Sequence, residues 1–126
     1  MAVSRTSVSQ KRLFSRYIED LPPGELTWIG LRPERQAEVV EVNSVQAIAG
    51  SGLDGDHRFE NTLGSGRQVT LISEEYIGQI AHFLSLSRSN TNMLLQHSVH
   101  PRLLRRNLVI KGMNLEALRY QQFSIG

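Results

Sequence analysis

Apolar and polar positions alternate with a period near two over several stretches of this chain, the pattern of half-buried β-strands. The first run is Glu25 to Leu31, with Leu26, Trp28 and Gly30 on one side and Thr27, Ile29 and Leu31 on the other. Arg32-Pro33-Glu34-Arg35 punctuates it. From Ala37 to Ile48 the alternation resumes, slips at Asn43-Ser44 and picks up again at Val45 and Ala47. That slip predicts one long strand carrying a bulge. Gln68 to Ile72 is a short strand-like run, and Ser73 then stands where a helix N-cap belongs, followed by Glu74 and Glu75 in the first turn. Ile77, Ile80, Ala81 and Leu84 fall at i, i+3, i+4 and i+7, so the spacing predicts a helix from Ser73 to Leu84.

Further on, Pro101 suits the first position of a short helix reaching Arg105. Asn107 to Ile110 reads as a strand, Lys111-Gly112 as a turn, and Asn114 as the cap of a one-turn segment over Leu115 to Leu118. Phe123 to Ile125 begins another strand. Residues 1–24 read as a polar, Ser/Arg-rich arm with one amphipathic patch at Leu13, Phe14, Tyr17 and Ile18, closed off by Pro22-Pro23-Gly24. The stretch from Ser85 to Asn92 reads as a surface excursion. Many short strands and a single helix of ten residues or more predict a mainly β, barrel-like domain with minor α over residues 25–126. A βαβ layout would need more helices of that length.

Composition narrows the class without naming a function. A chain of 126 residues holds one domain with a real core. Its formal net charge of +2 is compatible with an anionic ligand, yet far from the clustered basicity of a nucleic-acid binder. No apolar run approaches the ~20 residues of a membrane span, and the basic N-terminus has no apolar segment of the kind a secretory signal carries. There is no cysteine. Disulfides, thiolate metal sites and thiol catalysis are therefore excluded within these residues, and a cytoplasmic setting is compatible with that usage.

Candidate chemistry concentrates in Gly52-Leu53-Asp54-Gly55-Asp56-His57-Arg58, two glycines, two carboxylates, an imidazole and a guanidinium within one loop. Glycine density allows a tight turn that projects polar groups from fixed positions. The spacing is neither a dinucleotide fingerprint nor a P-loop, and His57-Arg58-Phe59 breaks an EF-hand pattern. The plain alternative is a turn whose carboxylates satisfy their own backbone amides. His57 stands beside Asp56, which can orient the imidazole and raise its pKa, making an acid/base group or an anion ligand. Arg67, Arg105 and Arg106 form a second group suited to bidentate anion contacts, or equally to surface bridges with Glu116 and Asp20. His97 and His100 could share a helical face, but no third metal ligand stands nearby. Ser73 lacks a nucleophile elbow, and capping accounts for it.

Taken in order, Gly52-Leu53-Asp54-Gly55-Asp56-His57, then Arg67-Gln68-Val69-Thr70-Leu71-Ile72, then Arg105-Arg106-Asn107-Leu108-Val109-Ile110-Lys111-Gly112-Met113-Asn114-Leu115 and Phe123-Ser124-Ile125-Gly126 resemble the MOSC domain. That domain stands at the C-terminus of molybdenum cofactor sulfurases, a pyridoxal phosphate-associated family, and as small stand-alone bacterial proteins. The resemblance runs from about Leu13 to Gly126, apart from the Ser85–His100 stretch. It implies a β-barrel of the pyruvate-kinase type and a role with the molybdenum cofactor (molybdopterin), as sulfur carrier or as the cofactor-binding part of a reductase of N-hydroxylated compounds. Carried over, it implies that Arg67, Arg106 and Asn107 contact the anionic pterin while Gly55, Asp56 and His57 shape the pocket wall. It further implies a sulfur-donor or molybdoenzyme partner. The family's cysteine lies beyond the Phe-Ser-Ile-Gly position, so the resemblance implies that the final strands and that thiolate are missing here. An unpaired edge near Phe123–Ile125 would then favour self-association. The alternative is a non-catalytic anion-binding or oligomerising module.

Overall fold

The computed structural model describes residues 21–61, 68–87, 99–119 and 121–125. In chain order it contains β1 (Glu25–Leu31), β2 (Val40–Val42), β3 (Ala47–Ile48), β4 (Gly52–Leu53), the one-turn helix α1 (Arg58–Asn61), β5 (Leu71–Ser73), α2 (Glu74–Ser87), a 3-10 turn (Pro101–Leu104) and β6 (Leu108–Lys111). Strands outnumber helices, and α2 is the one long helix among the described residues. All but the last four residues of the expected arm lie outside them.

β6 explains the layout. Its Leu-Val-Ile run is apolar at every position, and all three residues are buried. Such a strand must be covered on both faces and flanked on both edges. It sits between β1, antiparallel to it, and β5, parallel to it, in the order β2-β1-β6-β5. Val109, only 1% exposed, points toward Trp28, Val39 and Ile77, where α2 closes one face. Leu108 and Ile110 point the other way, toward Leu53, Leu31, Met113 and Leu115. The sheet is thus sandwiched between α2 and a layer made by the β3–β4 hairpin and the turn after β6.

Several expectations are corrected here. The described strands form an open sheet and a separate two-stranded hairpin, with no closed barrel among them. The parallel β5–β6 pair has α2 in its connection, so the described residues include a strand–helix–strand crossover, as parallel pairing demands. The expected long strand over Ala37–Ile48 is two strands in different sheets: β2 pairs with β1, and β3 turns away to pair with β4. The bulge lies in β1 instead, where Leu26 and Trp28 oppose the consecutive residues Ile110 and Val109. An extra residue at Thr27 puts Leu26 on the opposite face from Trp28, against the simple alternation. Phe123–Ile125 is not a strand, so among the described residues the sheet edges are β2 and β5.

The helix expectation holds. Ser73 Oγ accepts from the Tyr76 N–H at 3.0 Å, satisfying one of the orphan donors at the start of α2. Ile77 and Ala81 are buried, while Leu84 is half exposed, so the helix outruns the core it covers. Burying Ile77 alone contributes about 1.5–3 kcal/mol. Glu75 accepts from the Gly112 N–H at 2.6 Å and ties the helix start to the turn after β6. Gly30 is required by packing: an added Cβ would stand 2.1 Å from the Trp28 ring, which folds back over it.

Candidate functional site

The Gly-rich loop folds as its glycines require. Gly52 and Gly55 have φ of +105° and +91°, and a Cβ on Gly52 would crowd the Gln68 carbonyl oxygen at 3.1 Å. The loop is anchored to the end of β1 by the His57 N–H, which donates to the Arg32 carbonyl at 2.7 Å. Its principal product is the inward placement of Asp56, whose side chain is 1% exposed. Oδ2 accepts from the Arg32 N–H at 3.0 Å, from Arg32 Nε at 3.2 Å and from Asn107 Nδ2 at 2.8 Å. Oδ1 accepts from the Arg58 N–H at 3.1 Å.

Asn107 is the centre of this network and is fully buried. Its Nδ2 donates to the Gly30 carbonyl at 3.0 Å as well as to Asp56. Its Oδ1 accepts from Arg32 Nη2 at 3.0 Å and from the Thr70 N–H at 3.1 Å. The Thr70 hydroxyl donates to the same Oδ1 and accepts from the Asn107 N–H, both at 3.1 Å. Every polar atom of the Asn107 side chain is used. Burial by itself would raise the Asp56 pKa. The hydrogen bonds from the Arg32 and Arg58 amides, the Asn107 amide and the Arg32 side chain outweigh it and hold the carboxyl below its ordinary value. The result is an ionised, fully bonded lock that ties β1, the loop, Thr70 and the start of β6 together.

His57 lies at the rim of the lock. Its Nδ1 is 3.1 Å from the Arg32 carbonyl and 3.6 Å from Asp56 Oδ1. A carbonyl can only accept, so Nδ1 carries a proton and donates it to Arg32. His100 has a local role, since its Nδ1 accepts from the Arg102 N–H at 3.3 Å at the start of the 3-10 turn. His97 and Arg67 lie outside the described residues.

Arg106 is placed differently from Asn107, its neighbour in sequence. It is exposed, and among the described residues its guanidinium has no hydrogen bond or ion pair. It lines an open groove of about 510 Å³ together with Ser73, Tyr76, Gln79, Asn114 and Glu116, over an apolar floor that includes Leu71. Ser73 keeps its O–H as a donor while its oxygen caps α2. Asn114 keeps its NH₂ while its Oδ1 accepts from the Glu116 and Ala117 N–H groups. One cation and the four neutral donors Ser73, Tyr76, Gln79 and Asn114 therefore stand against a single carboxylate, an arrangement able to hold a small anion.

Of the six residues that sequence points to, the structure brings Asp56, His57 and Asn107 together, with Gly55 forming the turn that delivers the first two. Arg106 belongs to a separate surface. Sequence reasoning missed Arg32 and Thr70, both essential to the lock. Arg32 sits in an Arg-Pro-Glu-Arg stretch that reads as punctuation, and its partners lie 24 and 75 residues away. No local signal could have found it.

Fold and site define a strand-dominated mixed domain with a buried polar lock and an adjoining cationic groove. No protein-family model, curated protein or solved structure matches the chain. Among the described residues no helix is long and apolar enough to cross a membrane.

Proposed function

We propose that this chain is a MOSC-type, cytoplasmic domain that handles the molybdenum cofactor, with Arg106 holding the anionic phosphate of the pterin. The observation that carries the reading is Arg106 itself, an exposed guanidinium without a partner among the described residues, set in a groove with the donors Ser73 and Asn114. Asp56 and Asn107 do not fit as direct ligands, because their polar atoms are already bonded within the protein. They fit as the mount that fixes the backbone on which Arg106 stands. Bound cofactor would supply molybdenum and dithiolene sulfur. With no cysteine in its 126 residues, the chain supplies no thiolate, and its own part is to bind and orient the anion. Sulfur would come from a donor protein or a molybdoenzyme partner, in sulfur transfer or in reduction of N-hydroxylated compounds.

The test is thermal unfolding with and without inorganic phosphate or a pterin phosphate. A ligand at a hundred times its Kd adds about 2.7 kcal/mol of stability, which is a readable rise in Tm. Arg106→Ala should abolish the rise, and an undiminished rise in that variant removes Arg106 from the site.

A second reading, a non-catalytic anion-binding or self-associating module, is favoured by the sheet edge at β2. That strand is three residues long, pairs only with β1 among the described residues and leaves Val40 half exposed. Sedimentation that is independent of concentration would remove the self-associating form.

A further inference from the structure

We infer that Arg32 is a positioning residue for the anion site, acting through the Arg105 carbonyl on one side of Arg106 and the Asn107 side chain on the other. The inference rests on the reading of Arg106 as the anion contact. The Arg32 guanidinium is buried and forked. Its Nη1 donates to the Arg105 carbonyl at 3.3 Å, and its Nη2 donates to Asn107 Oδ1 at 3.0 Å. Arg105 and Asn107 flank Arg106, so one planar group grips the residue before it and the residue after it. A guanidinium suits the task because its donors are held in one rigid plane, which a lysine ammonium cannot reproduce.

The grip holds a backbone that would otherwise relax. Arg105 has φ of +54°, a left-handed conformation that a non-glycine residue adopts at a cost. Its own side chain donates to the Ala37 carbonyl, adding a second anchor. Past Arg106, the Asn107 and Leu108 N–H groups both donate to the Thr70 carbonyl, at 3.1 and 3.0 Å. The Gly30 N–H donates to the Asn107 carbonyl at 2.7 Å. Arg106 is thus the one side chain of the three that the surrounding bonds leave pointing outward, on a support fixed from inside. A flexible arginine would lose conformational freedom on gripping an anion, whereas this one has its backbone share fixed in advance.

The experiment measures inorganic phosphate binding to the whole chain by NMR titration of the arginine Nε–H signals, in wild type, Arg32→Lys, Arg106→Gln and Ile77→Val. Wild type should bind. Arg106→Gln should not, and Arg32→Lys should bind about tenfold more weakly, the scale of one charge-assisted hydrogen bond. Ile77→Val should lose stability and keep wild-type affinity, which separates positioning from general loosening of the fold. A folded Arg32→Lys that binds as wild type does overturns the positioning role alone. Equal binding by wild type and Arg106→Gln, or none by wild type, overturns the reading of Arg106 and this inference with it. Should Arg32→Lys fail to fold, backbone order parameters of wild type decide. Values near 0.85 at Arg105–Asn107 support the grip, and values under about 0.6 overturn it.

Discussion

Arg106 and Asn107 are adjacent in sequence and opposite in circumstance. Asn107 is completely buried and bonded through every polar atom of its side chain, while Arg106 stands exposed in a groove without a partner among the described residues. The difference teaches that a compact polar motif need not be a single site. One residue of the pair builds the support, and the other is left for whatever binds. The separation has an electrostatic logic: charges in the interior are stable only when fully paired, and a paired charge has nothing to offer a ligand.

Breaking the interior member should produce the largest effect. Asp56→Ala leaves the Arg32 guanidinium buried without its carboxylate, and strands the Arg32 and Arg58 amides as well. We expect a loss of about 3–5 kcal/mol in denaturant unfolding at neutral pH. The pH dependence follows from the depressed pKa of Asp56. Its contribution is fully present above the unfolded-state value near pH ~4 and is lost as pH falls through the lower folded value. The gap between wild type and Asp56→Ala should therefore close in acid.

Asn107→Asp sharpens the comparison from the other side. It would set a second carboxylate where an amide now donates to Asp56 at 2.8 Å and to the Gly30 carbonyl at 3.0 Å. Two such carboxylates cannot both ionise at ordinary cost, so one pKa of the pair rises. A raised folded pKa gives stability below the unfolded value that is lost as pH climbs. This variant should lose about 2–3 kcal/mol at neutral pH and recover part of it as pH is lowered toward 4, opposite in slope to wild type. Parallel pH profiles for the two proteins would contradict the arrangement. Arg106→Gln should have the smallest effect, within about 0.5 kcal/mol of wild-type stability, because nothing in the interior depends on it. A larger loss would mean that Arg106 belongs to the lock after all.

What sequence made legible follows the range of the forces involved. The cap at Ser73 and the buried faces of α2 and β6 depend on neighbours within a few residues, and local pattern shows them. The β1 bulge at Thr27 does not, because it is set by how β1 meets β6 across the sheet. The break between β2 and β3 is likewise decided by partner strands, β1 for one and β4 for the other. In the candidate site, Asp56 stood out as a carboxylate in a glycine-rich loop, and Asn107 was named through the family resemblance. Thr70 and Arg32 did not stand out, since only the folded topology brings them to Asn107. Residue types pointed to two of the four members of the network, but not to which side chains faced water.

The central pairing of β1 with β6 has a consequence for how this protein comes into being. Thr27 reaches the Val109 carbonyl across 82 residues of chain. At ribosomal speeds of about 5–20 residues per second, β1 waits roughly 4–16 s after its own synthesis before its long-range partner exists. Asp56, the carboxylate that pairs with Arg32, follows after only 24 residues, but the apolar side chains of β1 have no cover from β6 until then. Such non-local contacts also slow the search once the chain is complete. The nascent chain is therefore most exposed to aggregation between the emergence of Trp28 and that of Val109, an interval in which a chaperone would matter most.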